Sequence, residues 1–156
     1  MSILNFGKRH IVKGLDAVAD AFAATVTSDV VKMSEYAFAA FLLHKAVGAT
    51  GTSTITVEAC DNAAGDNPVA VPFKVQKYTG ADDLPGAVAD VAAAGFLTTA
   101  GSSQLYSVQV DSQSLGLKGW VRLKAVESVD SPVLGGILIV LHGPRYATDI
   151  PNTAIA

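Results

Sequence analysis

The sequence predicts an all-β fold, a β-sandwich or jelly-roll-like domain with an N-terminal arm that contains a short helix. Apolar and polar residues alternate in several short runs after Ser28, and clusters of Gly, Asn, Asp and Pro separate these runs. No succession of strands and helices indicates a parallel α/β sheet. We therefore expect an arm over residues 1–27, a sandwich over residues 28–147 and a C-terminal tail over residues 148–156.

The helix of the arm is predicted from the spacing of four apolar residues. They follow one another at steps of four, three and four, which is the spacing of one helix face: Ile11, Leu15, Val18 and Phe22. The stripe is narrow, so such a helix needs a surface to pack against, either the body of the protein or a neighbouring subunit.

The strands are predicted from alternation and from the turn residues between them. They cover residues 29–33, 36–45, 52–60, 69–77, 96–100, 104–111, 119–126 and 137–141. Residues 36–45 also suit a helix, but the strand is favoured. The predicted strands over residues 36–45 and 137–141 are apolar at nearly every position, which predicts burial on both faces.

Within this set, some positions carry more specific expectations. The alternation predicts that Ile55, Val57, Val121 and Leu123 face inward. Pro72 indicates an edge position or an irregularity in its strand. Residues 79–86 form a predicted loop, and the alanine-rich residues 87–94 suit either a short helix or a weak strand.

Charge and composition exclude several classes of protein. The net charge of −3 argues against a nucleic-acid binder, although residues 1–13 carry +3 from Lys8, Arg9 and Lys13 and the rest carries −6. Such a basic start either contacts an acidic surface or is simply solvated. The lone cysteine, Cys60, excludes an internal disulfide and fits assembly in a reducing cytoplasm. No apolar run reaches membrane-spanning length, and no secretory signal is expected.

A search for chemistry predicts no catalytic residue, no cofactor and no metal site. The three histidines are far apart in sequence and lack ligand spacing: His10, His44 and His142. The acids of residues 58–66 fit turn capping better than a calcium loop. Cys60 lies beside acidic residues, which raise the pKa of its thiol. A nucleophilic cysteine needs a lowered pKa instead. Neither a phosphate-binding loop nor a Gly-x-Ser-x-Gly turn occurs.

One aromatic residue on a polar strand face suggests a binding surface. Trp120 shares its predicted face with Arg122 and Lys124, so the three could stack a sugar or cover a protein partner. Alternatively, the tryptophan lies at the rim of the sandwich, shielded by the aliphatic stems of the two basic residues.

The strings GTSTITVEACDNAAGDNPVAVPFKV (residues 51–75) and KGWVRLKAVESVDSPVLGGILIVLHGPRY (residues 118–146) resemble small virion proteins of tailed bacteriophages. The likeness extends from about Ser28 to Ala147. It implies a cement or decoration protein on the capsid exterior, assembled in the host cytoplasm, without an active site. The implied partners are the major capsid protein and further copies of the chain in a homotrimer, with no nucleic acid and no membrane.

The candidate partner-binding residues lie in the basic arm and on the tryptophan strand. They are Lys8, Arg9, Ile11, Lys13, Leu15, Val18, Phe22, Trp120 and Arg122. A rival hypothesis is a carbohydrate- or receptor-binding module that uses Trp120, and a hydrolase on a β-sandwich ranks below both.

Overall fold

A computed structural model describes residues 9–48, 50–78 and 84–145 of the 156-residue chain. These residues form twelve strands. The strands are β1 His10–Val18, β2 Thr25–Thr27, β3 Val31–Lys32, β4 Tyr36–Lys45, β5 Thr52–Cys60, β6 Val69–Val71, β7 Phe73–Tyr78, β8 Ala89–Val91, β9 Phe96–Leu97, β10 Gln104–Asp111, β11 Trp120–Val129 and β12 Gly135–Pro144. Within the described ranges there is no helix, and so none that could cross a membrane.

The strands form two antiparallel sheets, which confirms the all-β prediction with a sandwich-like arrangement. Sheet 1 has the order β1-β12-β4-β10-β7-β8. Sheet 2 has the order β2-β11-β5-β6, with β3 also paired to β11 and β9 to β5. The jelly-roll comparison stays a prediction.

One apolar core lies between the inward faces of the two sheets. The four residues predicted to face inward, Ile55, Val57, Val121 and Leu123, are each 0% exposed, which confirms that prediction. Sheet 1 contributes Phe41 from β4 and Ile139 from β12, both also fully buried. Burying each such side chain stabilises the fold by about 1.5–3 kcal/mol.

The chain passes from one sheet to the other at Pro72. The preceding residues, β6, pair with β5 in sheet 2, whereas the following residues, β7, pair with β10 in sheet 1. Proline cannot donate a backbone hydrogen bond to a strand ladder, so it suits a position between two ladders. The irregularity predicted at this residue is therefore a corner between the sheets.

The N-terminal helix was wrongly predicted. Residues His10–Val18 form an edge strand that pairs with β12, and residues 19–24 are turns and bends. Val12 lies inward and is buried. The register shifts twice in β1, after Lys13 and after Leu15. These irregularities break the alternation of a regular strand and leave apolar residues at a spacing that imitates a helix.

Burial on both faces of β4 and β12 was also wrongly predicted. On β4, Phe41 is fully buried but Phe38 is 46% exposed. On β12, Ile139 is fully buried but Leu138 is 48% exposed. Only sheet 2 covers sheet 1 among the described residues, so the outer side of both strands remains accessible. Among the other segments, residues 89–91 form a short strand, and the predicted tail lies outside the described residues.

Candidate interaction surfaces

The outer face of sheet 2 carries a compact group of charged residues, which we call the charged face: Glu58, Arg122 and Lys124. Arg122 lies directly opposite Glu58 in the pairing of β11 with β5. Its Nε donates a hydrogen bond to Glu58 Oε2 at 2.8 Å, and Lys124 Nζ lies 3.2 Å from Glu58 Oε1. The Glu58 side chain is only 9% exposed. The charges of this face therefore satisfy one another within the chain.

A turn over residues 61–67 closes one end of the charged face. Asn62 Oδ1 accepts hydrogen bonds from the backbone N–H groups of Ala64 and Asp66, at 3.0 and 3.3 Å. Hydrogen bonds from Lys118 and Asn67 lower the pKa of Asp61. Asn62 therefore caps the turn, whereas the carboxylates of Asp61 and Asp66 accept hydrogen bonds from side chains and not from the backbone. The prediction that the acids cap this turn was wrong in the residue that does so.

Gly65 lets this turn approach the guanidinium of Arg122. Its φ is +78°, in the left-handed region that favours glycine. A Cβ at this position would lie 2.6 Å from Arg122 Nη1. A side chain at this position would therefore displace the Arg122 guanidinium from its present place, in addition to straining the backbone.

Trp120 lies on the same outer face and is half-buried. It pairs with Cys60 on one side and with Lys32 of β3 on the other. Its two basic neighbours on this face, Arg122 and Lys124, are both ion-paired with Glu58. Cys60 is buried, and burial is the main cause that raises the pKa of its thiol. The neighbouring acids, the cause expected from the sequence, contribute less than burial.

The candidate residues of the predicted arm do not form one stripe. Ile11 and Val18 are exposed, and Leu15 is half-buried against the core. Phe22 is only 4% exposed. Its Cε2 would lie 2.7 Å from a Cβ on Gly135, so the ring occupies space that this glycine leaves. Phe22 is therefore a core residue that no partner can reach.

The basic candidates lie at the start of β1 or before it. Lys13 Nζ lies 2.7 Å from Asp16 Oδ1, in an exposed ion pair. Arg9 is exposed, and its charge helps to lower the pKa of His142, whose partial burial is the larger cause. Lys8 lies outside the described residues. Thus β1 and the tryptophan strand place the candidates in different sheets, and the structure does not bring them into one site.

Sequence analysis missed a surface on the outside of sheet 1, which we call the apolar face. It consists of six side chains from β1, β4 and β12: Ile11, Phe38, Ala40, Leu42, Leu138 and Val140. The signal was present in the sequence, since β4 and β12 are apolar at almost every position. It was interpreted as burial within the chain.

The apolar face ends in a groove where β1 is irregular. The groove has a volume of about 480 Å³. Its apolar lining includes Leu15, Leu42, Leu105 and Leu138. Three polar residues also line the groove: Lys13, Asp16 and His44. The groove extends the apolar surface from the centre of sheet 1 toward β10.

No family model matches the chain, and no curated protein does. Among solved structures, the chain is similar to the crystal structure of SPBc2 prophage-derived protein YomS, with 9% identity and a TM-score of 0.46. The likeness covers 91% of this chain and 98% of the other. That TM-score is too low to establish a shared fold.

Proposed function

We propose that this chain is a structural protein of a bacteriophage virion that decorates the capsid exterior. It stabilises the capsid by binding the major capsid protein and neighbouring copies of itself, as a homotrimer, and it has no catalytic activity. The assignment to a virion is supported by the resemblance of residues 51–75 and 118–146. The apolar face carries the rest of the proposal.

The apolar face supports a role in contact with other protein chains. Its three most exposed members, Ile11, Phe38 and Leu138, are 48%, 46% and 48% exposed. Single exposed apolar residues are normal, whereas a contiguous apolar patch marks an interaction site. A protein that works by holding other chains together needs such a surface and needs no reactive group.

The basic start of the chain is the proposed contact with the capsid. Lys8, Arg9 and Lys13 give residues 1–13 a charge of +3, against −6 on the rest. An acidic capsid surface would attract this end of the molecule, and the attraction would weaken as salt rises. Because β1 belongs to sheet 1, removing it would also remove core residues such as Val12. Charge reversal in the full chain is therefore a cleaner test than truncation.

The test is co-sedimentation of the full-length protein with capsids stripped of their decoration. The test variant is Lys8→Glu with Lys13→Glu. Lys13 has a 75% exposed side chain, and its ion pair with Asp16 contributes little to stability. The matched control is Lys74→Glu with Lys77→Glu, which makes the same charge change on β7 of the same sheet. We expect the test variant to lose at least about tenfold in affinity, which corresponds to about 1.4 kcal/mol, and the control to bind like wild type.

Three results would count against the proposal. An equal loss of affinity in both variants would show that binding depends on the net charge of the protein and not on the basic start. Unchanged binding of the test variant would remove the basic start from the mechanism. Wild-type protein that does not bind capsids, together with saturable binding to a glycan array, would favour the carbohydrate-binding alternative.

A further inference from the structure

Two neighbouring strands of sheet 1, β12 and β4, are apolar on both sides, but the residues that the structure describes cover only one side. In β12, Ile137, Ile139 and Leu141 face the core and are at most 2% exposed. Between them, Leu138 points outward and is 48% exposed. Strands that read as continuous apolar runs are typical of sheets buried on both faces. The outer side of β12 thus has the composition of a buried surface without being buried.

The outward residues are contiguous across the sheet. Leu138 of β12 pairs with Leu42 of β4, and Val140 pairs with Ala40. On the other side of β12, Ile11 of β1 pairs with Val140. Side chains directly opposite each other in neighbouring strands lie about 4.5–5.5 Å apart, close enough to touch. These residues therefore form one patch.

The patch needs no opposite charge from a partner. Lys13, at its edge, is paired with Asp16 at 2.7 Å. His142 stacks on Phe38, with ring centroids 5.0 Å apart, and its lowered pKa favours the neutral imidazole. Asp111 of β10 pairs with Phe38 of β4. Its carboxylate accepts a hydrogen bond from the Ser114 N–H at 2.8 Å. A surface that is apolar at its centre can pack against another surface like itself.

Together with the mostly polar outer side of β10, which borders it, the patch has the area of a stable contact between copies. Four strands at a spacing of about 4.8 Å and eight residues at about 3.3 Å each cover roughly 500 Å² of flat sheet. The accessible area is larger, because side chains project from the sheet. A standard interface buries about 800 Å² on each partner. The outer face of β1, β12, β4 and β10 is of this order.

We infer that the apolar face is the surface through which copies of this chain associate. The inference rests on the proposed function and deepens it by locating the contact between neighbouring subunits. Three copies turn their apolar faces toward a common three-fold axis. The part of the face on β1 and β12 then packs against the part on β4 of the next copy, with the outer side of β10 at the rim, and this contact closes into a ring.

The experiment measures the mass of the full chain in solution by light scattering after size-exclusion chromatography. Wild type is compared with Leu138→Lys and with a matched control, Val126→Lys. Val126 is 37% exposed and lies on β11, on the outer side of sheet 2. We expect three times the chain mass of 16.0 kDa for wild type and the control. Leu138→Lys should have the mass of one chain, because an interface that buries it would leave a lysine charge unpaired.

Other outcomes would overturn the inference. A wild type of single-chain mass would mean that something else covers the apolar face, such as a segment of the same chain. A Leu138→Lys protein that keeps the wild-type mass would place the contact elsewhere. A wild type of twofold mass that the variant dissociates would support the surface and overturn the three-fold arrangement. Should Leu138→Lys fail to fold, Ile11→Lys on the edge strand provides the same test.

The inference and the proposed function can fail separately. A protein of threefold mass that does not sediment with stripped capsids would keep the apolar face as the self-contact and overturn the capsid role. A protein of single-chain mass that does sediment with capsids would keep the capsid role and overturn the apolar face as the self-contact. High salt provides a further distinction, since it weakens the charged capsid contact and leaves the apolar self-contact intact.

Discussion

The two outer faces of this protein lie on opposite sides of the same core and differ in what they need. On sheet 2, Glu58 sits between Arg122 and Lys124, and the charges are satisfied within the chain. On the outer side of sheet 1, the paired residues Leu42 of β4 and Leu138 of β12 are half-buried and 48% exposed, respectively, among the described residues. The charges of the charged face are thus paired within the chain, whereas the apolar face is the surface that we propose to contact other copies. The difference shows that two outer faces of one small β protein can have opposite compositions around a common core.

The largest effect is expected from a carboxylate placed on the inner instead of the outer side of a sheet. Val57→Asp should prevent soluble folding, because Val57 is 0% exposed and an unpaired buried carboxylate costs more than a domain of this size can spare. Leu138→Asp should fold and melt cooperatively, because Leu138 faces outward. Circular dichroism melts of the soluble fractions would check both. A soluble, cooperatively melting Val57→Asp protein would mean that the inner face is wrongly assigned.

A smaller effect is expected on the charged face. Glu58→Gln should lower the free energy of unfolding by about 2 kcal/mol, because two basic side chains would lose their partner where little water reaches them. The matched control is Lys74→Gln, which breaks the ion pair with Asp90 at a site where the side chains are 59% and 85% exposed. That change should cost less than about 0.5 kcal/mol. Urea titration measures both, and equal losses would show that burial does not distinguish the two ion pairs.

The smallest effect concerns Lys45, a charge on the inner side of the otherwise apolar β4. It is 2% exposed, its Nζ donates a hydrogen bond to the Thr99 carbonyl at 2.8 Å, and burial lowers its pKa from 10.5. Between the lowered pKa and 10.5 the unfolded chain binds more protons than the folded one. The contribution of Lys45 to the free energy of unfolding therefore rises with pH between the lowered pKa and 10.5. Below the lowered pKa this contribution does not change with pH.

Comparison with Lys45→Met isolates the contribution of Lys45. The difference in unfolding free energy between wild type and variant should grow in favour of wild type as pH rises toward 10.5. Tyr36, whose pKa burial raises from 10.0, acts in the opposite direction in both proteins and cancels in the difference. Urea titrations over this pH range measure the difference in unfolding free energy between wild type and Lys45→Met. A difference that does not change with pH would show that Lys45 does not titrate differently on folding.

Much of the fold was predictable because most strands are regular. The predicted strands over residues 36–45, 52–60 and 104–111 match β4, β5 and β10 at both ends. In these segments the turn residues mark the ends, and alternation marks the faces. Prediction failed at β1, where two register shifts interrupt the alternation. A bulge depends on the partner strand, which the local sequence does not show.

The interaction surfaces were less predictable, because they depend on which strands become neighbours. The ion pair of Glu58 with Arg122 joins residues 64 positions apart in sequence and requires the register of β5 against β11. The apolar face likewise requires β1, β12 and β4 to lie side by side. The sequence did show that β4 and β12 are apolar on both sides. It could not show that the described residues form no third layer over the second side.

The corner at Pro72 has a consequence for how the molecule folds. Most strand pairings in this topology join distant parts of the chain, and closing the intervening loops slows folding. At Pro72 a single residue joins β6 of one sheet to β7 of the other, with Val71 and Phe73 both pointing into the core. The two sheets are therefore brought face to face there with almost no loop-closure entropy. Because of this tether, one sheet cannot slide by one residue against the other without breaking the pairing of β6 or of β7.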